Sequence, residues 1–568
     1  MNEERITYFA QTDARNKKVN FGIKAKDRSK HVYVIGKTGM GKSTLLENIA
    51  VQDIKNGEGL AFIDPHGKTA DLLLEYIPPE RVKDVVYFAP FDTDHPISFN
   101  VLESVDPDKR HLVVSGLMST FKKIWQDAWS ARMEYILTNT LLALLEYPDA
   151  TLLGVNRMLS DKKFREKVVS NVTDPAVKSF WTEEFAHYTE RMAAEAVPAI
   201  QNKIGQFTAN ALIRNMIGQA KSSFNIREIM DSKKIMIINL SKGRVGETNA
   251  NLLGGMLITK IYLAALSRAD VPDRALKELP NFYLFVDEFQ SFANESFADI
   301  LSEARKYKLN LTMAHQYIEQ MEEEVRAAVF GNVGTMIVFR VGAYDAEILE
   351  KEFAPQFTAE DIVNLGFAQI YLKLMIDGIS SPPFSATTLP PIPQPETSSM
   401  QEAIEMSRRQ FSRSRAEVEK AISDWHEPII APPKPRTELK QEVKSEPKQE
   451  PKQEPRPQSR PPAPQHQPQP PSTHQPFKNA LIQAPVSLST LSSKTHKNQD
   501  QNASKPGQKE ASPERVNELR NALASVLGKK EVPKETPKEA PKESPKETVK
   551  DVPKEISSEE LKKVLKID

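Results

Sequence analysis

The chain has 568 residues, enough for several domains, but its 41 prolines thicken beyond about residue 380 and suggest that the globular part stops well short of the end. Its 76 basic and 76 acidic side chains cancel, so no global basic field advertises nucleic acid and any such binding must come from local patches. There is no cysteine, which excludes disulfides, thiolate metal sites and cysteine nucleophiles together.

In chain order, "MNEERITYFAQTD" lacks the apolar core of a signal peptide. Next comes "HVYVIGKTGMGKSTLLENIA" (31–50), an apolar strand, a glycine-rich loop and a helix expected to start at Lys42 or Ser43. The loop matches G-x-x-x-x-G-K-[ST], in the strand-to-helix context that a phosphate cradle requires. Gly36, Lys37, Thr38, Gly39, Met40, Gly41, Lys42, Ser43 and Thr44 are the expected nucleotide contacts. Backbone N–H groups would converge on phosphate oxygens, with help from the helix N-terminus. Lys42 would reach the β/γ-phosphates of ATP, and the Ser43 hydroxyl is placed to ligate Mg2+.

Further apolar runs follow, with helical stretches between them: "GLAFID" (59–64), "VVYFAP" (85–90), "KIMIINLS" (234–241), "FYLFVDE" (282–288), "LNLTMAHQ" (309–316), "TMIVFRVG" (335–342) and "QIYLKLMI" (369–376). Strands of continuous Val, Ile, Leu and Phe separated by helices argue for a mostly parallel sheet covered on both faces. Between "FDTDHPISFN" (91–100) and "KIMIINLS" the pattern is helical throughout. In "ARMEYILTNTLLALLEY" (131–147), Met133, Ile136, Leu137, Thr140, Leu141 and Leu144 share one face. Trp125, Trp129 and Trp181 are expected to anchor this insert by packing, base stacking being the alternative. The longest apolar window, "NLLGGMLITKIYLAALS" (251–267), is interrupted by Lys260 and is expected to fall short of a membrane span.

"FYLFVDEFQSF" supplies the acidic strand end that a P-loop needs. Asp287 would accept the Mg2+ shell through its waters, while Glu288 would point at the attacking water as general base; the alternative for an aspartate there is to cap the next helix. Gln316, ending the following strand, can report the γ-phosphate through its amide, and His315 beside it reads as structural. Arg305 and Arg340 suit a phosphoryl transition state, because the guanidinium is planar and stays charged; each is equally able to form a surface salt bridge. "SKGRVGE" places Lys242 and Arg244 beside glycines and makes the loop a candidate DNA contact, against the alternative of a charged turn. Asp64 and His66 of "FIDPHG" lack further ligands at metal-binding spacing.

After "SATTLPPIPQPETSS" (385–399) one more helix is expected over 399–427. From about 431, "PKQEPKQEPRPQSRPPAPQHQPQPP" and "PKETPKEAPKESPKE" are too poor in apolar residues to bury a core and are expected to stay disordered. Within that tail, Ser512 and Pro513 open an expected helix at 512–527, and a Ser557/Glu560 capping box opens another at 557–566. Both look like docking peptides for partners.

"GKTGMGKST", "FIDPHG", "INLSKGRVGE", "FVDEFQ", "SEARKYKLNLTMAHQ" and "GNVGTMIVFRVG" occur in the order seen in the HerA and FtsK class of pumping ATPases. Within that class the chain most resembles the type IV secretion coupling proteins, the TraD-like ATPases of conjugation, over about residues 25–390. The resemblance implies a RecA-like P-loop α/β core with a mostly parallel sheet, interrupted by an all-helical domain. It gives Lys42, Asp287, Glu288 and Gln316 the roles above, and makes Arg305 the arginine that acts on a neighbouring subunit's ATP. It also implies a homo-oligomer, a hexameric ring with DNA in its channel, and partners from type IV secretion or DNA processing. The departure is at the N-terminus: coupling proteins usually begin with two membrane-spanning helices, and here nothing apolar precedes the P-loop. A soluble, cytoplasmic protein is expected, or one peripheral at the inner membrane through its partners.

The expected organisation is an ATPase core over 1–104 and 229–395, a helical insert over 105–228, a closing helix over 396–430 and the tail over 431–568. The expected function is an ATP-hydrolysing DNA translocase of conjugative or type IV secretion DNA transfer. The alternatives are a HerA-like DNA-processing helicase and a nucleotide-gated adaptor that recruits partners through the tail. Intact Lys42, Glu288 and Gln316 weigh against the adaptor, which has no need of a base for water.

Overall fold

The computed structural model describes residues 3–13, 17–103 and 105–427. The expected disordered tail and its helices at 512–527 and 557–566 lie outside the described residues.

Among the described residues there are thirteen strands: β1 (Ile6–Gln11), β2 (Asn20–Lys24), β3 (Val32–Ile35), β4 (Gly59–Asp64), β5 (Val85–Phe88), β6 (Ile235–Asn239), β7 (Phe282–Val286), β8 (Leu309–His315), β9 (Thr335–Val338), β10 (Gln369–Lys373), β11 (Met375–Ile376), β12 (Ile379–Ser380) and β13 (Phe384–Thr388). Eleven of them form one sheet in the order β2-β1-β13-β10-β9-β3-β8-β7-β4-β6-β5. From β9 to β5 every pairing is parallel. Every residue of β3, β4, β6, β7, β8 and β9 is buried, as helices on both faces require. The flank of β10, β13, β1 and β2 is antiparallel.

All the strands expected from the apolar runs are present. One is divided: "QIYLKLMI" leaves the large sheet at Leu374, whose N–H is taken by Ser381 Oγ at 3.0 Å, and Met375–Ile376 joins a separate two-stranded ribbon with β12. β1, β2 and β13 were not expected. β2 and β13 bury alternate residues, and β1 does so except at an irregularity where Phe9 and Ala10 are both buried, so each carries fewer apolar side chains than a central strand.

Among the described residues, the chain between β5 and β6 forms helices and no strand. Helix Ala131–Leu145 begins where Ser130 Oγ accepts from Met133 N at 3.3 Å, and the six residues expected on its inner face are all buried. Trp181 is buried and its Nε1 donates to the Asn139 carbonyl at 3.2 Å. Trp125 lies against Phe121, Trp129 and Phe207. The apolar side chains of this insert are continuous with those of one sheet face through helix Glu247–Leu266, which packs on helix Arg110–Ile124. The expectation for the 251–267 window needs correcting on length. The helical stretch runs 24 residues, Glu247–Asp270, long and apolar enough to cross a membrane, with 61% of its most apolar stretch buried in the core.

The expected single closing helix is two helices, Met400–Phe411 and Arg415–His426. The break has a local cause. Ser414 and Glu417 form a reciprocal capping box that starts the second helix, and Ser412 sits in an isolated bridge with Ile97. The first helix covers the edge strand β5, where Tyr87 N donates to Ser407 Oγ at 2.8 Å and Arg408 Nε to Asp92 Oδ2 at 2.7 Å. The second lies on the insert.

Candidate nucleotide site

β3 sits between β8 and β9, and β7 lies beyond β8, with Ile35 level with both His315 and Val338 and Val286 level with Met313. Parallel strands in this register end at one edge of the sheet. The loop after β3, the acidic pair after β7 and Gln316 after β8 therefore converge there.

The loop 36–41 is built around its glycines. A Cβ on Gly36 would lie 2.5 Å from Phe339 Cβ, and Gly41 holds φ at +113°, where an L side chain is strained. Gly36 N donates to the His315 carbonyl at 3.2 Å and Lys37 N to the Arg340 carbonyl at 2.8 Å, so the loop is tied to both neighbouring strands. The helix Lys42–Lys55 starts where expected. Lys42 is buried, and its Nζ donates to the Gly36 carbonyl at 2.6 Å and the Lys37 carbonyl at 3.2 Å. Burial lowers its pKa, against the attraction of Glu288 and Asp287.

Ser43 Oγ donates to Asp287 Oδ2 at 3.2 Å. Burial, with Glu288 and Asp64 nearby, pushes the Asp287 carboxyl up to about 6. Glu288 has a left-handed backbone, φ +49° and ψ +49°, and its N–H donates to Asp287 Oδ1 at 2.9 Å. Strain of this kind persists only where the surroundings hold it. Glu288 Oε1 accepts from Gln316 Nε2 and Glu288 Oε2 from Gln290 Nε2, while Gln316 Oε1 accepts from Thr38 Oγ1 at 3.1 Å. A chain of contacts thus runs from the loop through Gln316 to the acidic pair. A hydroxyl and a buried carboxylate facing each other are oxygen donors of the kind that suits Mg2+. Gln290 was missed by the sequence reading, although it stands two residues beyond Glu288 in "DEFQ" and could have been found there.

The other expected residues fall elsewhere. Asp64 is buried and accepts from His66 N at 2.7 Å and Ala70 N at 2.9 Å, holding the turn into helix Lys68–Glu75. Among the described residues no cluster of three His, Asp or Glu forms a metal site. His315 is buried, with Nδ1 2.9 Å from Tyr33 Oη, a structural position. Arg340 lies two residues beyond β9, beside the loop, and is half-buried. Arg305 is exposed in a short turn of helix before β8, at the opposite edge of the sheet. Seven residues of β8 separate it from Gln316, about 20 Å at the usual rise per residue. It is out of reach of its own loop. The "SKGRVGE" segment contains a single helical turn, Lys242–Val245. Lys242 Nζ donates to Ser291 Oγ at 3.0 Å and Glu247 Oε1 at 3.2 Å. The Arg244 guanidinium lies 3.6 Å from the Phe91 ring centroid. Both cations are engaged within the chain, and Arg244 is still exposed.

Topology and loop together define a RecA-like P-loop fold of the ATPase class. The particular family follows from the sequence: the chain belongs to the type IV secretion-system coupling proteins, whose DNA-binding-domain model matches residues 19–366. Among solved structures, the plasmid coupling protein TrwB in complex with ADP and Mg2+ is similar at 15% identity and a TM-score of 0.49, covering 67% of this chain and 89% of that one. TrwB with the ATP analogue ADPNP is similar at 13% identity and a TM-score of 0.49, covering 70% and 98%. VirB4 of Thermoanaerobacter pseudethanolicus is similar at 13% identity and a TM-score of 0.43, covering 69% and 97%. No curated protein sequence matches the chain.

Proposed function

We propose that this protein is an ATP-hydrolysing DNA translocase of a conjugative or type IV secretion machine, working in the cytoplasm as a homo-oligomeric ring. The contact chain Thr38–Gln316–Glu288, set beside Ser43 and Asp287, carries the reading, because it joins a phosphate cradle to a carboxylate positioned for water. ATP would lie with its phosphates in loop 36–41, its β/γ-oxygens drawing Lys42 Nζ away from the two carbonyls it now holds. Ser43 and Asp287 would hold Mg2+, which would offset the phosphate charge. Glu288 takes a proton from the attacking water, and Gln316, bonded to it, fixes the direction of attack. Arg305, at the far edge of the sheet, serves the site of the next subunit. Lys242 and Arg244 contact DNA after exchanging their present partners for phosphate. The tail beyond residue 431 recruits partners.

ATP hydrolysis measured alone, with single-stranded DNA and with duplex DNA tests this reading. Turnover that rises with one of them and disappears in Lys42→Ala is expected. Turnover indifferent to both nucleic acids would reject the translocase and leave an ATPase.

A further inference from the structure

Phe367 is 74% exposed, the most exposed aromatic side chain among the described residues. It does not hang on a loose loop. Gly366 N donates to Gln369 Oε1 at 2.7 Å, and Ala368 is held at φ +61°. The Ala368 carbonyl accepts from Thr388 N at 2.9 Å and from Thr388 Oγ1 at 3.3 Å. The remaining bond is the informative one: Ala368 N donates to the carbonyl of Met40, inside the phosphate-binding loop, at 3.3 Å. The turn 366–368 is therefore pinned between that loop and β13, with a phenylalanine one residue from the contact. Exposure of one aromatic is ordinary on a protein surface; what sets this one apart is that its backbone is tied to the phosphate-binding loop.

We infer that Phe367 is the stacking platform for the base of the nucleotide whose phosphates occupy loop 36–41. The inference rests on the nucleotide reading above and adds a subsite to it. A nucleotide seated by its phosphates carries its base one sugar away, and the pinned turn sets an exposed aromatic residue next in sequence to the one that bonds the carbonyl of half-buried Met40. Every base has a π face. The platform therefore contributes affinity for nucleotides over bare polyphosphate, and little choice among bases.

The test is calorimetric titration of the full chain with ATP and, separately, with inorganic tripolyphosphate, each with Mg2+. Phe367→Ala should weaken ATP binding roughly ten- to hundred-fold, leave tripolyphosphate binding unchanged, and be rescued by Phe367→Trp; Lys42→Ala should weaken both ligands. Wild-type affinity for ATP in Phe367→Ala, with Lys42→Ala defective, overturns the platform and leaves the nucleotide site standing. A change in oligomer mass in Phe367→Ala with ATP binding intact overturns it too, by assigning the ring to a subunit contact. Failure of the wild-type chain to bind either ligand overturns the nucleotide reading and the platform with it.

Discussion

The two edges of the parallel sheet treat buried charge in opposite ways. Where the strands begin, the Arg28 guanidinium is 1% exposed yet complete: it forks onto Asp53 at 2.6 and 2.8 Å and lies 3.7 Å from the Tyr283 ring centroid. Where they end, Lys42 has only carbonyls for partners, and Asp287 and Glu288 stand side by side. A charge satisfied inside the chain fixes structure. A charge left facing like charge is one that a ligand can complete, which is what makes the second edge the candidate site. Arg305 is the exception at the first edge, exposed and, among the described residues, without an ion pair.

The largest expected effect breaks that pattern at its exception. Arg305→Ala should bind ATP normally and lose turnover by roughly 10³–10⁵, the value of arginine assistance in other NTPases. Mixed with Glu288→Gln, it should regain part of that turnover, since some interfaces then pair an intact site with an intact arginine. A mixture of Lys42→Ala and Glu288→Gln should not recover. No rescue in either mixture, once subunit exchange is established by mass measurement, would return the role to Arg340.

Next, Asp53→Ala should destabilise the fold by about 3–5 kcal/mol, because it strands the Arg28 charge in the core. Lys42→Ala should stay within about 1 kcal/mol of wild type in the same urea titration while losing ATP binding. Equal losses of stability at the two edges would erase the contrast between them.

Asp287→Asn should raise stability by about 2 kcal/mol near pH 7 and abolish turnover, since the carboxyl is raised to about 6 in the fold and its ionisation there works against folding. A destabilised Asp287→Asn would mean that the acidic pair is already satisfied.

The smallest effect concerns His31 at the first edge, buried with Nδ1 accepting from Leu311 N at 3.1 Å. Burial, with the Arg305 charge nearby, lowers its pKa to about 4 from 6.5. As pH falls below 6.5 the unfolded chain takes up the proton first, so this contribution to stability is present above 6.5 and lost between 6.5 and 4. The slope from this group is at most about 1.4 kcal/mol per pH unit. His31→Asn keeps a side-chain acceptor and removes the titration; denaturation midpoints from pH 7 to 5 should fall less steeply in it than in wild type.

What the sequence could reveal followed from how each element is buried. Central strands enclosed on both faces announce themselves as runs of Val, Ile, Leu and Phe, and the G-x-x-x-x-G-K-[ST] loop and "FVDE" carry their chemistry in adjacent residues. β1, β2 and β13 were missed because one-sided burial makes "ITYFAQ" and "FSATT" half polar. The order of the strands was not legible either. That β8 lies between β3 and β7, and so inserts Gln316 between loop and carboxylates, is decided by packing across hundreds of residues. For the same reason nothing in the sequence set Arg305 at the opposite edge from the loop, or Phe367 beside Met40.

The pair of helices after residue 399 alters the mechanics of the protomer. The insert leaves the sheet after β5 and returns at β6, and a body attached by two strands of chain keeps an axis about which it can swing. Helix Arg415–His426 adds an attachment away from that axis: Arg157 of the insert donates to the Trp425 carbonyl and, at 3.2 Å, to the Glu427 carbonyl, its guanidinium 4.7 and 4.9 Å from the ring centroids of Phe164 and Trp425, which pack edge-on against each other. Helix Met400–Phe411, bonded to β5 at Ser407 and to Asp92 beyond that strand at Arg408, holds the other end of the brace. The insert is thus held to the sheet at three places, its two connections and this brace, and Arg157→Ala should loosen the third without touching the phosphate loop.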